Sequence, residues 1–66
     1  MRKVEVIAYY RQQGGFVEVT FESDGKPYAF KYRGKTPTCK IDSDFIIYNI
    51  RKKVGNKKVE IMEAME

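Results

Sequence analysis

Histidine, tryptophan and leucine are absent from this chain, and Cys39 is its only cysteine. Without histidine, and with one thiol, the usual zinc and copper sites cannot be assembled, so no metal and no cofactor are expected. The same gaps remove Ser-His-Asp and Cys-His nucleophilic catalysis. One cysteine closes no intramolecular disulfide, so the fold calls for no oxidising compartment and a cytoplasmic location is expected. Long apolar runs are missing too. The longest, Val6 to Tyr10, has five residues, whereas a membrane span needs about 20. Met1-Arg2-Lys3 is basic, but Glu5 follows at once and no leader-like apolar stretch comes after it. Carboxylates, lysines and tyrosines remain available for chemistry, yet 66 residues leave little room for a buried cleft that would shift their pKa values. The chain is expected to bind rather than to catalyse.

What is present describes one small folded unit, residues 1–66. Hydrophobic residues make up 42% and charged residues 33%, a balance that supports a packed core and argues against disorder. A chain this short hides only roughly 60% of its unfolded surface, so its core is thin and a second subunit would add welcome cover.

Valine and isoleucine occur six times each, and β-branched side chains suit a pleated surface better than a helix. Val4, Val6, Ala8 and Tyr10 alternate with Glu5, Ile7, Tyr9 and Arg11. Phe16 to Glu22 alternates again, with Val17, Val19 and Phe21 on one side. Asp24-Gly25 is a strong signal for a type I′ hairpin turn, which needs positive φ at both central residues. Beyond it, Tyr28, Phe30 and Tyr32 alternate with Ala29, Lys31 and Arg33, and Pro27 stands at the strand start, where a lost amide is tolerated. A three-stranded antiparallel meander follows. A first turn at Gln13-Gly14 would pair Tyr10 with Val17, Ala8 with Val19 and Val6 with Phe21. The inner face then reads Tyr10–Val17–Tyr32, Ala8–Val19–Phe30 and Val6–Phe21–Tyr28, and that is the expected core.

The opposite face would carry the rows Arg11–Phe16–Arg33, Tyr9–Glu18–Lys31 and Ile7–Thr20–Ala29. Three readings suit it. It is a half-solvated sheet face with an ordinary Glu18–Lys31 pair; or a platform on which Tyr9 and Phe16 stack bases while Arg11, Lys31 and Arg33 hold phosphates; or an apolar patch of Ile7, Tyr9 and Phe16 closed by a second subunit. Glu18 at its centre counts against a polyanion.

After Arg33, Gly34 to Thr38 reads as a loop. Gly34-Lys35-Thr36 resembles the tail of a phosphate-binding loop, but Ala29 stands where that motif needs glycine, and Pro37 blocks the helix that must follow. Cys39 is expected under this loop. Residues 25 to 40 hold Lys26, Lys31, Arg33, Lys35 and Lys40 with no acid. Such a run is ordinarily solvated, and it is also where a polyanion would lie.

Residues 42–55 fit a helix capped by Asp42 or Ser43 and ended by Gly55, with Ile46, Ile47, Ile50 and Val54 as one stripe and Arg51 to Lys53 at its negative end. Alternation of Ile46, Tyr48 and Ile50 fits a strand as well. Taking the helix, Val59 and Ile61 begin a last strand, and the fold class is α+β, a three-stranded meander plus one helix and a C-terminal strand. The alternative is an all-β five-stranded barrel of SH3-like size.

Net charge is +4, and small sheets backed by one helix include modules that lay a strand face on nucleic acid. The reading is a small binding protein engaging nucleic acid through Arg11, Lys31, Arg33 and Lys35, with Tyr9 and Phe16 stacking. The alternative is a protein-interaction module or inhibitor, as small virus- or plasmid-encoded proteins often are. It would act as a homo-oligomer, with a small anionic ligand such as a nucleotide held between subunits by the Arg11–Phe16–Arg33 row.

Overall fold

Two-residue turns dictate how the first three strands pair, and each turn selects its residues by the sign of φ. In the computed structural model, which describes residues 3–64, β1 (Val6–Gln13) and β2 (Phe16–Ser23) are joined at Gly14-Gly15. Gly14 has φ +63° while Gly15 stays out of the positive region, as the first position of a type II′ turn requires. A turn at Gln13-Gly14 would have forced positive φ on Gln13, which glycine alone adopts freely. The turn therefore sits one residue later than expected. Tyr10 faces Val19 and Ala8 faces Phe21, a slip of two positions that leaves every side chain on its expected face. The second turn is as expected: Asp24 and Gly25 have φ +53° and +79°, and β3 (Lys26–Arg33) pairs Phe21 with Tyr28 and Val17 with Tyr32.

The helix α1 spans Lys40–Val54, which removes the five-stranded barrel. It starts three or four residues earlier than a cap at Asp42 or Ser43 would place it. Its N-cap is Cys39, which makes no side-chain cap bond and is exposed rather than tucked under the loop. Asp42, instead of preceding the helix, sits in its first turn and accepts from the Thr38 backbone N–H at 3.2 Å. A carboxylate there ties the preceding loop to the helix and complements the positive end of the helix dipole. At the other end Gly55, φ +94°, donates its N–H to the Arg51 carbonyl at 2.9 Å.

The last strand, β4 (Val59–Glu63), lies parallel to β1, giving the order β3-β2-β1-β4 in one mixed sheet. The class is α+β, with the expected meander, helix and terminal strand. Val6, Ala8, Val17, Val19 and Phe21 form the buried floor of the inner face, and Ile46 and Ile50 of α1 close over it with no exposed surface. Tyr10, Tyr28, Phe30, Tyr32, Val54, Val59 and Ile61 surround them half-buried. Phe21 and Tyr28, opposite each other, stack with ring centroids 5.0 Å apart.

Truncating either enclosed isoleucine removes a methyl cluster with nothing to refill it. Ile50→Ala should cost about 2–5 kcal/mol, read by denaturant unfolding. Ile41→Ala, at a position 79% exposed, should stay within about 0.5 kcal/mol of wild type.

Candidate functional site

The uncovered face of the sheet is where the turn position matters. Because β1 is displaced by two residues against β2, Arg11 stands opposite Glu18 and not opposite Phe16. The outer rows, from β3 to β1, are Arg33–Phe16–Gln13, then Lys31–Glu18–Arg11, then Ala29–Thr20–Tyr9. The expected Arg11–Phe16–Arg33 row does not exist, so a ligand clasped by those three side chains loses its geometry. Parallel pairing adds β4 to the same face, with Met62 beside Tyr9 and Glu60 beside Ile7.

Each expected site residue can now be placed. Phe16 is an exposed ring with the Arg33 guanidinium carbon 5.0 Å from its centroid. Arg11 is engaged within its own sheet: its Nε lies 3.6 Å from a Glu18 carboxylate oxygen. With its oxygen turned to the guanidinium, the Gln13 amide accepts from Arg11 Nη2 at 2.8 Å. Lys31 flanks Glu18 from the other side. Lys35 follows Gly34, whose N–H donates to the Gly15 carbonyl at 3.0 Å. Gln12 Nε2 ties the same corner together, with the carbonyls of Gly14, Phe16 and Gly34 at 2.8, 3.1 and 3.1 Å. Tyr9 is exposed in a different neighbourhood, with Ile7 and Met62. Four residues along β2 separate the Phe16 row from the Tyr9 row, about 13–14 Å, so the two rings do not form one stacking platform.

The face is hollowed and electrically divided. Thr20 and Ala29 are small and floor a depression of about 740 Å³, walled by Ile7, Tyr9 and Pro27 and bordered by Glu5 and Glu22. At the Phe16 end stand Arg11, Lys31 and Arg33 with the single acid Glu18. At the opposite end stand Glu5, Glu22 and Glu60, with Lys58 just outside the last row. Glu22 was readable from alternation along β2. Met62 and Glu60 were not, because nothing local announces that β4 crosses the helix to join β1. Four acids, Glu5, Glu18, Glu22 and Glu60, thus share a face whose expected rows held only Glu18.

The excess positive charge is concentrated at one edge of the sheet. Among the described residues Lys26, Lys31, Arg33 and Lys35 take part in no ion pair, and all four belong to the edge strand β3 or the loop after it. A second, smaller depression of about 250 Å³ lies between the β2–β3 turn and the end of α1, lined by Ser23, Asp24, Lys26, Tyr28, Lys53 and Val54. Two of its lining residues are held by Lys57 Nζ, which donates to Ser23 Oγ at 2.8 Å and Asp24 Oδ2 at 2.9 Å. The helix carries a third surface. Phe45 meets Tyr32 edge-on at 5.4 Å, and Lys52 lies 5.6 Å from the Tyr48 ring centroid.

No protein-family model matches the chain, and no curated protein or solved structure matches it. Among the described residues no helix is long and apolar enough to cross a membrane.

The hydrogen bond from Lys57, then its charge, holds the Asp24 carboxyl below the ordinary value of 3.8. A depressed carboxylate stabilises the fold above its unfolded pKa and loses that contribution as pH falls through the folded one. Wild type should therefore exceed Asp24→Asn in thermal midpoint at neutral pH, and the two curves should converge below about pH 4.

Proposed function

We propose that the protein is a small non-enzymatic interaction module that self-associates through its exposed sheet face. The observation that supports this reading is the character of that face: apolar and hollowed in the middle, basic at one end, acidic at the other. A polyanion platform would carry one sign of charge throughout, whereas a surface made for protein combines an apolar centre with matched charge around it. Ile7, Tyr9, Phe16 and Met62 are each more than 40% exposed, a concentration of large apolar side chains that a solitary small domain gains nothing by keeping in water. Light scattering should give a mass above that of one chain, falling to one chain in Ile7→Asp. A wild-type chain that stays single at every attainable concentration would overturn the reading.

Nucleic acid is the second reading, supported by the unpaired run Lys26, Lys31, Arg33 and Lys35 along the β3 edge. There the phosphates of a single strand would meet four cations, with Phe16 as the one adjoining ring. Fluorescence anisotropy with labelled single-stranded DNA, RNA and duplex DNA at about 50 and 200 mM salt tests it. The expected result is affinity that falls steeply with salt, and a salt slope about 1.4 smaller in Lys31→Ala/Lys35→Ala, roughly 0.7 for each lost contact on a single strand. Tyr9→Ala should change nothing. Absence of binding at the lower salt rules this reading out.

A further inference from the structure

The exposed face carries both halves of one contact. Phe16 stands out from β2 as an exposed ring with the Arg33 guanidinium lying against it. Farther along the same face, the depression over Thr20 and Ala29 is walled by Ile7, Tyr9 and Pro27 and has the Glu22 carboxylate at its rim. Ring and depression lie about 13–17 Å apart along the strand direction. We infer that the partner of this face is a second copy of the chain, packed face to face about a two-fold axis, with each copy's Phe16 seated in the other's Thr20–Ala29 depression and each Arg33 meeting the other's Glu22. The inference rests on the self-association reading and specifies its partner and its geometry.

Charge decides the direction of the axis. An axis parallel to the strands would set basic end on basic end and acidic end on acidic end. An axis across the strands at the Glu18 row reverses one copy along the strand direction and sets each Phe16 over the partner's Thr20–Ala29 row. Each Arg33 then points toward the partner's acidic end, where Glu22 lies nearest and Glu5 and Glu60 stand beyond. Such an arrangement is isologous, since the same patch serves on both copies and closes at two. The mean strand directions of two sheets packed this way lie within about 30° of each other. Near the axis the Arg11–Glu18 pair, 3.6 Å apart, meets its own symmetry mate already neutralised. Lys31, on the edge strand, keeps a path to water along its stem. Four strands about 4.8 Å apart and seven or so residues of overlap give a footprint of about 20 by 25 Å. That is about 500 Å² on each copy, which reaches the lower bound of roughly 1,000 Å² in total for a specific interface. The strand order maps each β3 beside its partner's β3, so Lys26 and Lys35 remain outside the contact.

A charge exchange between two variants tests the geometry. Arg33→Glu and Glu22→Arg each place like charges at both contacts, so each alone should dissociate at least about tenfold more readily than wild type. Mixed in equal amounts they should restore a dimer, because one contact then pairs the glutamate introduced at 33 with the arginine introduced at 22 and the other keeps the native Arg33–Glu22 pair. Ala29→Trp, which fills the depression without altering charge, should also weaken the dimer. Both exchanged positions are exposed on strands, and circular dichroism of the single variants verifies that they remain folded. Dimers that persist unchanged in both single variants, or a mixture that fails to reassociate, would overturn the ring-in-depression geometry while leaving self-association through this face standing. A wild-type chain that never dimerises overturns both.

Discussion

A sheet has two faces, and the described residues hold one helix to cover them. That constraint governs the rest of the structure. Ile46 and Ile50 are spent wholly on the inner face, where they meet Val6, Ala8, Val17, Val19 and Phe21 in a core with almost no exposed surface. No other described element covers Ile7, Tyr9, Phe16 and Met62 on the other side. In a chain of 66 residues the hydrophobic driving force scales with the area that can be hidden. An uncovered apolar face is then the feature most in need of a partner.

The order in which side chains appear on that face is decided by a single backbone angle. Only glycine enters the first position of a type II′ turn without strain, so the chain folds at Gly14-Gly15. Had Gln13 taken that position, Arg11 and Arg33 would have flanked Phe16. Arg11 instead meets Glu18, while Phe16 lies between Gln13 and Arg33. Because the displacement is two residues, the core is indifferent to it and the surface is not. Burial registers the face a side chain points to, while chemistry depends on its neighbours within the face.

The parallel placement of β4 has a comparable effect on charge. It brings Glu60 and Met62 alongside Ile7 and Tyr9, at the end where Glu5 and Glu22 already stand. Positive charge remains along the β3 edge, where lysines also discourage strand-to-strand aggregation. The protein is thus basic overall without presenting a basic sheet face.

Alternation and turn chemistry alone determined the three antiparallel strands and the identity of the inner face, while the isoleucine stripe and the Gly55 stop belonged to the helical one of two readings for residues 42–55. Each of these rests on interactions between residues close in sequence or on the two-residue period of a strand. The helix start at Lys40 was less legible, because Asp42 acts from within the first turn through Thr38. Of the expected site residues, Phe16, Lys31, Arg33 and Lys35 do gather at one corner, with Arg11 in the adjoining row but held by Glu18 and Gln13, whereas Tyr9 belongs to another neighbourhood. Tertiary structure alone decided which residues share a row, where β4 lands and how charge divides across the exposed face. Those outcomes depend on contacts between segments distant in the chain, which local periodicity does not encode.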